Sequence, residues 1–292
     1  MTHSLRKAVI PVAGFGTRML PAAKAVPKEL LPVLDRPTLQ YVVEEAARAG
    51  IDDVLLVTSR EKRTIEDHFD RSPELEERLR EGGKESLLAS VTELASRVKI
   101  HAVRQAQQRG LGDAAYQARQ HVGEQSFLCL LGDTIFSGDP SPAVQLAQAY
   151  QQLGTCIIGL EEVPPEKVSR YGIAGGPTVG DGIIRIDTLI EKPSVDAAPS
   201  RLAIAARYVL TPAIFDCVEK TPPGKGGEIQ LTDALRLLLE REPIHGVVLR
   251  STRHDIGNPL DWLKTNLIFA SRDPAMREAL LPLLRQIVAS RD

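Results

Sequence analysis

The chain has 292 residues, of which 43% are hydrophobic, 25% charged and 4% aromatic, and its formal charge is −2. This composition excludes a disordered chain and leaves the core to Leu, Val, Ile and Ala. It also gives no global pull toward nucleic acid or an anionic membrane, so any anion site must be local. The apolar run in the opening MTHSLRKAVIPV is too short for a secretion signal, and nowhere do about 18 apolar residues follow one another. These features predict a cytoplasmic chain with no transmembrane helix. Cys129, Cys156 and Cys217 stand singly in apolar contexts, as packing thiols of a reducing compartment do.

In chain order, KAVIPV reads as a strand covered on both faces. TLQYVVEEAARAG has Leu39, Val42, Val43, Ala46 and Ala47 at helical spacing, with Thr38 placed to cap and Gly50 to stop the helix. DDVLLVTS is the next strand. An amphipathic stretch with Ile65 and Phe69, then Leu75 and Leu79 after Ser72-Pro73, leads to the strand VKIHAVR. A helix over about Gly112–His121 and the strand SFLCLLGD close this half. Strands alternating with helices imply a parallel sheet. Further on, TCIIGLEEV, GIIRIDTLIEKP, AIAARYVL and HGVVLRS read as strands, and EIQLTDALRLLLERE as a helix. Tyr171–Gly182 and Thr221–Gly227 read as turns or mobile loops. The tail from Asp261 to Ser290 is helical, with Asp273-Pro274 as its cap and a kink or break expected at Pro282.

The strand KAVIPV runs into AGFGTRMLP. Gly14 and Gly16 suit either a plain tight turn or a seat where backbone amides approach a phosphate, helped by the dipole of a helix starting just beyond. The turn is not a dinucleotide fingerprint, because Met19 stands where the third glycine belongs, and no G-K-[ST] follows to make a Walker loop. Arg18, Lys24 and Lys28 share a loop stiffened by Pro21, Pro27 and Pro32. Asp133 ends an apolar strand, where open α/β sheets bind ligands, and Asp255 lies at another strand-to-turn boundary. Each aspartate, read alone, also suits a turn cap. Glu191-Lys192 reads equally as a strand-end charge pair.

The segment VIPVAGFGTRMLPAAKAVPKELLPVLDRPTLQYVVEEA closely resembles the signature of the bacterial UTP–glucose-1-phosphate uridylyltransferases, within the sugar-nucleotide pyrophosphorylases. VRQAQQRGLGDAAYQA, LLGDTIF, YGIAGG, IEKPSVDAAPSRLAIAARYVL, TPPGKGGEIQLTDAL and HDIGNPLDWLKTN resemble the family's later blocks, in order and over nearly the whole chain.

The resemblance implies a Rossmann-like α/β fold with a mixed, mostly parallel central sheet flanked by helices, sugar-side β elements and a helical C-terminus. It divides one nucleotidyltransferase domain into a nucleotide-binding half (about 1–135), a sugar-phosphate half (about 136–257) and C-terminal helices (about 258–292). It implies transfer of a uridylyl group from UTP to glucose 1-phosphate, with Mg²⁺ as cofactor, no nucleic acid or membrane partner, and a homodimer or homotetramer. By motif, Arg18 and Lys28 are the catalytic cations on the phosphates. Ala13, Gly14 and Gly16 form the nucleotide loop, Glu29 and Gln105 read uracil, and Gly110 closes the base pocket. Asp133 and Asp255 bind the metal. Gly172, Glu191 and Lys192 hold the sugar phosphate, Lys225 lies near an anionic substrate, and the helix after Gly227-Glu228 walls the sugar pocket. His254 is a weak candidate, since imidazole suits softer ions than Mg²⁺.

One block departs from the pattern. Asp113 stands where the family block GLGHA has histidine. A carboxylate near a triphosphate needs Mg²⁺ or a basic group to compensate it. LGDTIF also leans toward the related thymidylyltransferases. A thymidylyl or other hexose-1-phosphate transferase is therefore the alternative activity, and a non-catalytic nucleotide-sugar sensor is the alternative class.

Overall fold

The apolar run at Lys7–Pro11 forms the strand on which the first half is built. It pairs in parallel with Asp53–Thr58 on one side and Phe127–Leu130 on the other, and Asp53–Thr58 pairs in parallel with Lys99–Arg104. The computed structural model describes residues 4–290, apart from the side chain of Lys225.

The central sheet is mixed. Its strands follow the order Thr178–Gly180, Ile183–Ile186, Ile244–Val248, Cys156–Glu162, Leu202–Leu210, Phe127–Leu130, Lys7–Pro11, Asp53–Thr58 and Lys99–Arg104. Leu202–Leu210 runs antiparallel to both its neighbours, joining the parallel first half to the parallel pair Cys156–Glu162 and Ile244–Val248. Gly172–Gly175 and Thr188–Glu191 form a branch off Leu202–Leu210.

Period-two alternation sends alternate residues of one strand to opposite faces. Val9, Leu55 and Val57 therefore pack on one face with Ala114, Ala115, Phe215 and Leu235. Ala8, Ile10, Val54 and Leu56 pack on the other with Leu39, Val42 and Leu146. Both faces of the sheet are thus covered by helices, which is why its central strands read as nearly unbroken apolar runs.

Several expectations are corrected. Thr38 is the first residue of the Thr38–Arg48 helix and caps nothing; its hydroxyl donates to the Leu31 carbonyl at 2.8 Å. The Gly112–His121 helix is two short ones, Leu111–Tyr116 and Arg119–Val122. The Tyr171–Gly182 stretch contains the strands Gly172–Gly175 and Thr178–Gly180. Pro282 sits inside an unbroken Pro274–Ala289 helix, whose N-terminus Asp273 caps as expected by accepting from the Met276 amide at 2.9 Å. The three cysteines are buried, and burial pushes their thiols up, that of Cys129 to about 12.

Candidate active site

The chain leaves the Lys7–Pro11 strand at the glycine turn. Ala13, Gly14 and Gly16 line a cavity of about 460 Å³ together with Lys28, Glu29, Gln105, Gly110 and Asp133. A Cβ at Gly14 would meet nothing within 4 Å, so this backbone faces open space. Gly16 has φ 66°, and a Cβ there would press on the Lys28 side chain at 3.3 Å. The expected helix dipole is missing, because only the single 3-10 turn Thr17–Met19 follows. Lys24 is exposed and lines none of the described cavities.

Lys28 donates to Asp133 Oδ2 at 2.5 Å. Burial opposes the Lys28 charge, but Asp133 and Glu29 more than offset it and raise the ammonium above its usual range. Burial likewise works against the Asp133 charge; Lys28 and Arg18 override it and hold the carboxyl below the usual carboxylate range. Both groups therefore carry their charges at neutral pH.

Asp133 and Asp255 are far apart in the chain and adjacent in space. Thr252–Asp255 pairs antiparallel with Thr134–Ser137, with Asp255 opposite Thr134, and the Ile256 amide reaches the Asp133 carbonyl at 3.4 Å. Both carboxylates line a second cavity of about 320 Å³ with Arg18, Arg253, Glu191 and Lys192. The missing side chain of Gly257 leaves room here: a Cβ would lie 2.7 Å from the Arg18 guanidinium and 3.0 Å from Asp255 Oδ1.

Among the described residues no set of three or more His, Cys, Asp or Glu groups converges as a metal cage. Two hard carboxylates facing one cavity fit a Mg²⁺ ion that takes its other ligands from substrate oxygens and water. They do not make the four-ligand site of a structural zinc. His254 is no ligand candidate: it is buried, hydrogen-bonds the Ser137 hydroxyl at 2.7 Å and packs edge-on against Phe269. Burial holds its pKa down, to about 4.

On the far side of this cavity, Glu191 ends the Thr188–Glu191 strand. Its Oε2 accepts from the Thr232 hydroxyl at 2.7 Å, and its Oε1 lies 3.1 Å from Lys192 Nζ. Lys192 has φ 46°, a left-handed backbone that costs a non-glycine residue about 1 kcal/mol or more. Gly172 lies in a strand and not in the expected turn. The space its missing Cβ leaves is taken by Ile204, Thr232 and Glu191, all within 3.1 Å of where that Cβ would sit. Leu231 and Thr232, opening the Leu231–Leu239 helix, wall the cavity. The side chain of Lys225 lies outside the described residues.

In the same 460 Å³ cavity, Glu29 is 2% exposed and its two oxygens accept from Lys62 Nζ at 3.0 and 2.8 Å. Lys62 also donates to the Val12 carbonyl at 2.6 Å, tying this pair to the glycine turn. Burial pushes Glu29 up and Lys62 down, against their mutual attraction. Gln105 and Gly110 line the same cavity. A Cβ on Gly110, which has φ 95°, would lie 2.7 Å from the Ile229 carbonyl. Asp113 is balanced as its position requires, by Arg109 at 2.8 Å.

Four contributors are not apparent in the sequence. Lys62 sits in the charge run SREKR, which looks like a solvated face. Arg253 lines the 320 Å³ cavity, pairs with Glu161 and lies 4.3 Å over the Tyr171 ring. Arg207 and Glu45 form a fully buried pair beneath the Asp133 loop.

The site residues thus fall around two cavities that share Asp133, Leu111, Leu131 and Gln230. The nucleotidyl transferase family profile matches residues 7–272. A UTP–glucose-1-phosphate uridylyltransferase of Bacillus subtilis is 45% identical over 288 residues, covering 99% of this chain and 97% of that protein. The UTP-bound UGPase of Acinetobacter baumannii superposes with a TM-score of 0.88 at 38% identity, covering 96% of this chain and 98% of that one. A UDP-glucose pyrophosphorylase complexed with UDP-glucose superposes with a TM-score of 0.85 at 38% identity, covering 92% and 99%. By profile, identity over nearly its full length and fold, the chain belongs to the nucleotidyl transferase family, in its UTP–glucose-1-phosphate uridylyltransferase branch.

Proposed function

We propose that this protein transfers the uridylyl group of UTP to glucose 1-phosphate, releasing pyrophosphate. The observation that carries the reading is the junction of the two cavities at Asp133. A nucleoside triphosphate in the glycine-turn cavity and a sugar phosphate in the other meet there. A phosphate oxygen of the sugar attacks the α-phosphorus, the bond to the α,β-bridging oxygen breaks, and pyrophosphate leaves with that electron pair. No proton transfer and no covalent enzyme intermediate are needed, so the chain has to align two polyanions and neutralise charge.

Each residue has a role in this reading. Ala13, Gly14 and Gly16 offer backbone to the nucleotide. Lys28 and Arg18 meet the phosphates from either side of Asp133, where charge builds on the leaving group. Glu29 and Gln105 face the base beside Gly110. Glu191 accepts from sugar hydroxyls, Lys192 pairs with the sugar phosphate, and Gly172 gives these groups room. Asp133 and Asp255 would hold Mg²⁺, which would supply positive charge against the triphosphate. Arg253 adds a cation on the sugar side, its direction set by Glu161 and Tyr171. No described helix is long and apolar enough to cross a membrane. Exposed Leu263, Leu267, Leu284 and Ile287 on the last two helices support assembly as a homodimer or homotetramer.

Purified protein given UTP, glucose 1-phosphate and Mg²⁺ is expected to release pyrophosphate, to stop when the metal is chelated, and to work more slowly with dTTP. No pyrophosphate with any divalent metal would reject the activity, and a preference for dTTP would move the protein to the thymidylyl branch.

A further inference from the structure

Gln105, in the wall of the glycine-turn cavity, belongs to a polar lock. Gln105 is 5% exposed and Asp113 3% exposed. Gln105 Nε2 donates to Asp113 Oδ2 at 2.7 Å and lies 3.3 Å from the Gly110 carbonyl. The other Asp113 oxygen, Oδ1, accepts from Arg109 at 2.8 Å.

A carboxylate and a carbonyl only accept hydrogen bonds. Both neighbours therefore require the nitrogen of the Gln105 amide and reject its oxygen. A flipped amide would face Asp113 with acceptor against acceptor in a buried site, where an unmade hydrogen bond is costly. The amide is held in one orientation by its partners, and Gln105 Oε1 accepts no hydrogen bond from any described residue. Oε1 is thus the atom left for a ligand in the cavity.

We propose that Asp113 is a specificity-determining positioning residue: by locking the Gln105 amide with its oxygen toward the ligand, it makes the site demand an N–H donor on the base edge. The inference rests on the nucleotidyl-transfer reading of this cavity. Uracil and thymine carry an N–H at N3, and cytosine carries a lone pair there. An Oε1 that cannot turn away satisfies the first two and repels the third. A side chain at position 113 able both to donate and to accept would loosen the lock, because it would satisfy either amide orientation and leave only the more distant Gly110 carbonyl, at 3.3 Å, to favour the nitrogen.

The test is the Asp113→Asn variant of the full chain, compared with the unaltered protein for kcat/KM with UTP, dTTP and CTP. Asparagine is nearly isosteric and can present either its oxygen or its nitrogen to Gln105. The preference for UTP over CTP is expected to fall about tenfold or more, since the site no longer penalises the missing N–H. The preference for UTP over dTTP should stay within about twofold, because both bases share the N3 edge. A merely structural role would lower all three nucleotides together and leave the ratios unmoved, and that result would overturn the proposal. If Asp113→Asn does not fold, Asp113→Ser, whose hydroxyl also donates and accepts, carries the same expectation and the same refutation. Absence of turnover by the unaltered protein overturns the activity itself, whereas turnover with unmoved ratios overturns only the role of Asp113.

Discussion

Asp133→Asn is expected to lower turnover by roughly two to three orders of magnitude while leaving UTP affinity within about threefold. The carboxylate has two tasks at the junction of the cavities. It fixes the Lys28 ammonium at 2.5 Å, and in the proposed function it would be one of two carboxylates holding Mg²⁺. Asparagine keeps the shape and one acceptor, so the base and sugar ends are untouched and the nucleotide still binds. What is lost acts mainly where the α-phosphorus is attacked and charge moves onto pyrophosphate. Single-turnover rates together with direct measurement of UTP binding separate the two effects. A variant that bound UTP weakly but turned over normally at saturation would remove Asp133 from the chemistry.

Arg207→Met is expected to cost about 3–5 kcal/mol of stability, read by chemical denaturation at neutral pH. Arg207 is fully buried, and its guanidinium meets Glu45 twice, at 3.0 and 2.7 Å. It also donates to the Thr134 carbonyl at 2.8 Å and reaches the Leu131 carbonyl at 3.4 Å, so it ties down the backbone on both sides of Asp133. Its removal leaves Glu45 buried without a cation, with the Ala143 amide still donating to it among the described residues. Because the pair itself was expensive to desolvate, changing both partners to apolar residues should recover part of the loss. A single variant weakened by less than about 1 kcal/mol would mean that the buried pair is not what holds this loop.

The parallel half of the fold was legible because its strands are covered on both faces and read as apolar runs. The second half was less so. Gly175, Gly176 and Pro177 looked like punctuation, yet Gly175 lies in a strand paired opposite Thr188, packed so closely against Pro199 that a Cβ would lie 2.8 Å away. There the glycine marks close packing within a sheet and not a chain reversal. At Pro282 the helix continues through a residue that local rules would have interrupt it, and no residue of that helix is buried.

The site divides in the same way. The glycine turn, Lys28 and Asp133 could be singled out by local pattern, because each follows the end of an apolar strand or sits in a proline-stiffened loop. That Asp133 and Asp255 meet came only from the family resemblance, and the antiparallel pairing of Thr134–Ser137 with Thr252–Asp255 supplies the physical reason. Lys62 and Arg207 escaped notice because their partners, Glu29 and Glu45, lie 33 and 162 residues away. A charged side chain carries no local mark that says whether water or a distant carboxylate will surround it. Asp113 was visible as a departure from the family block, but its contacts with Gln105 and Arg109 give it a sense only in three dimensions.

The most direct measurement is a crystal structure of this protein with UDP-glucose and Mg²⁺. The uracil is expected beside Gln105 and Gly110, the diphosphate between Lys28 and the Asp133–Asp255 pair with the metal on both carboxylates, and the glucose against Glu191 and Thr232. A nucleotide sugar bound elsewhere, or a metal on neither aspartate, would contradict it.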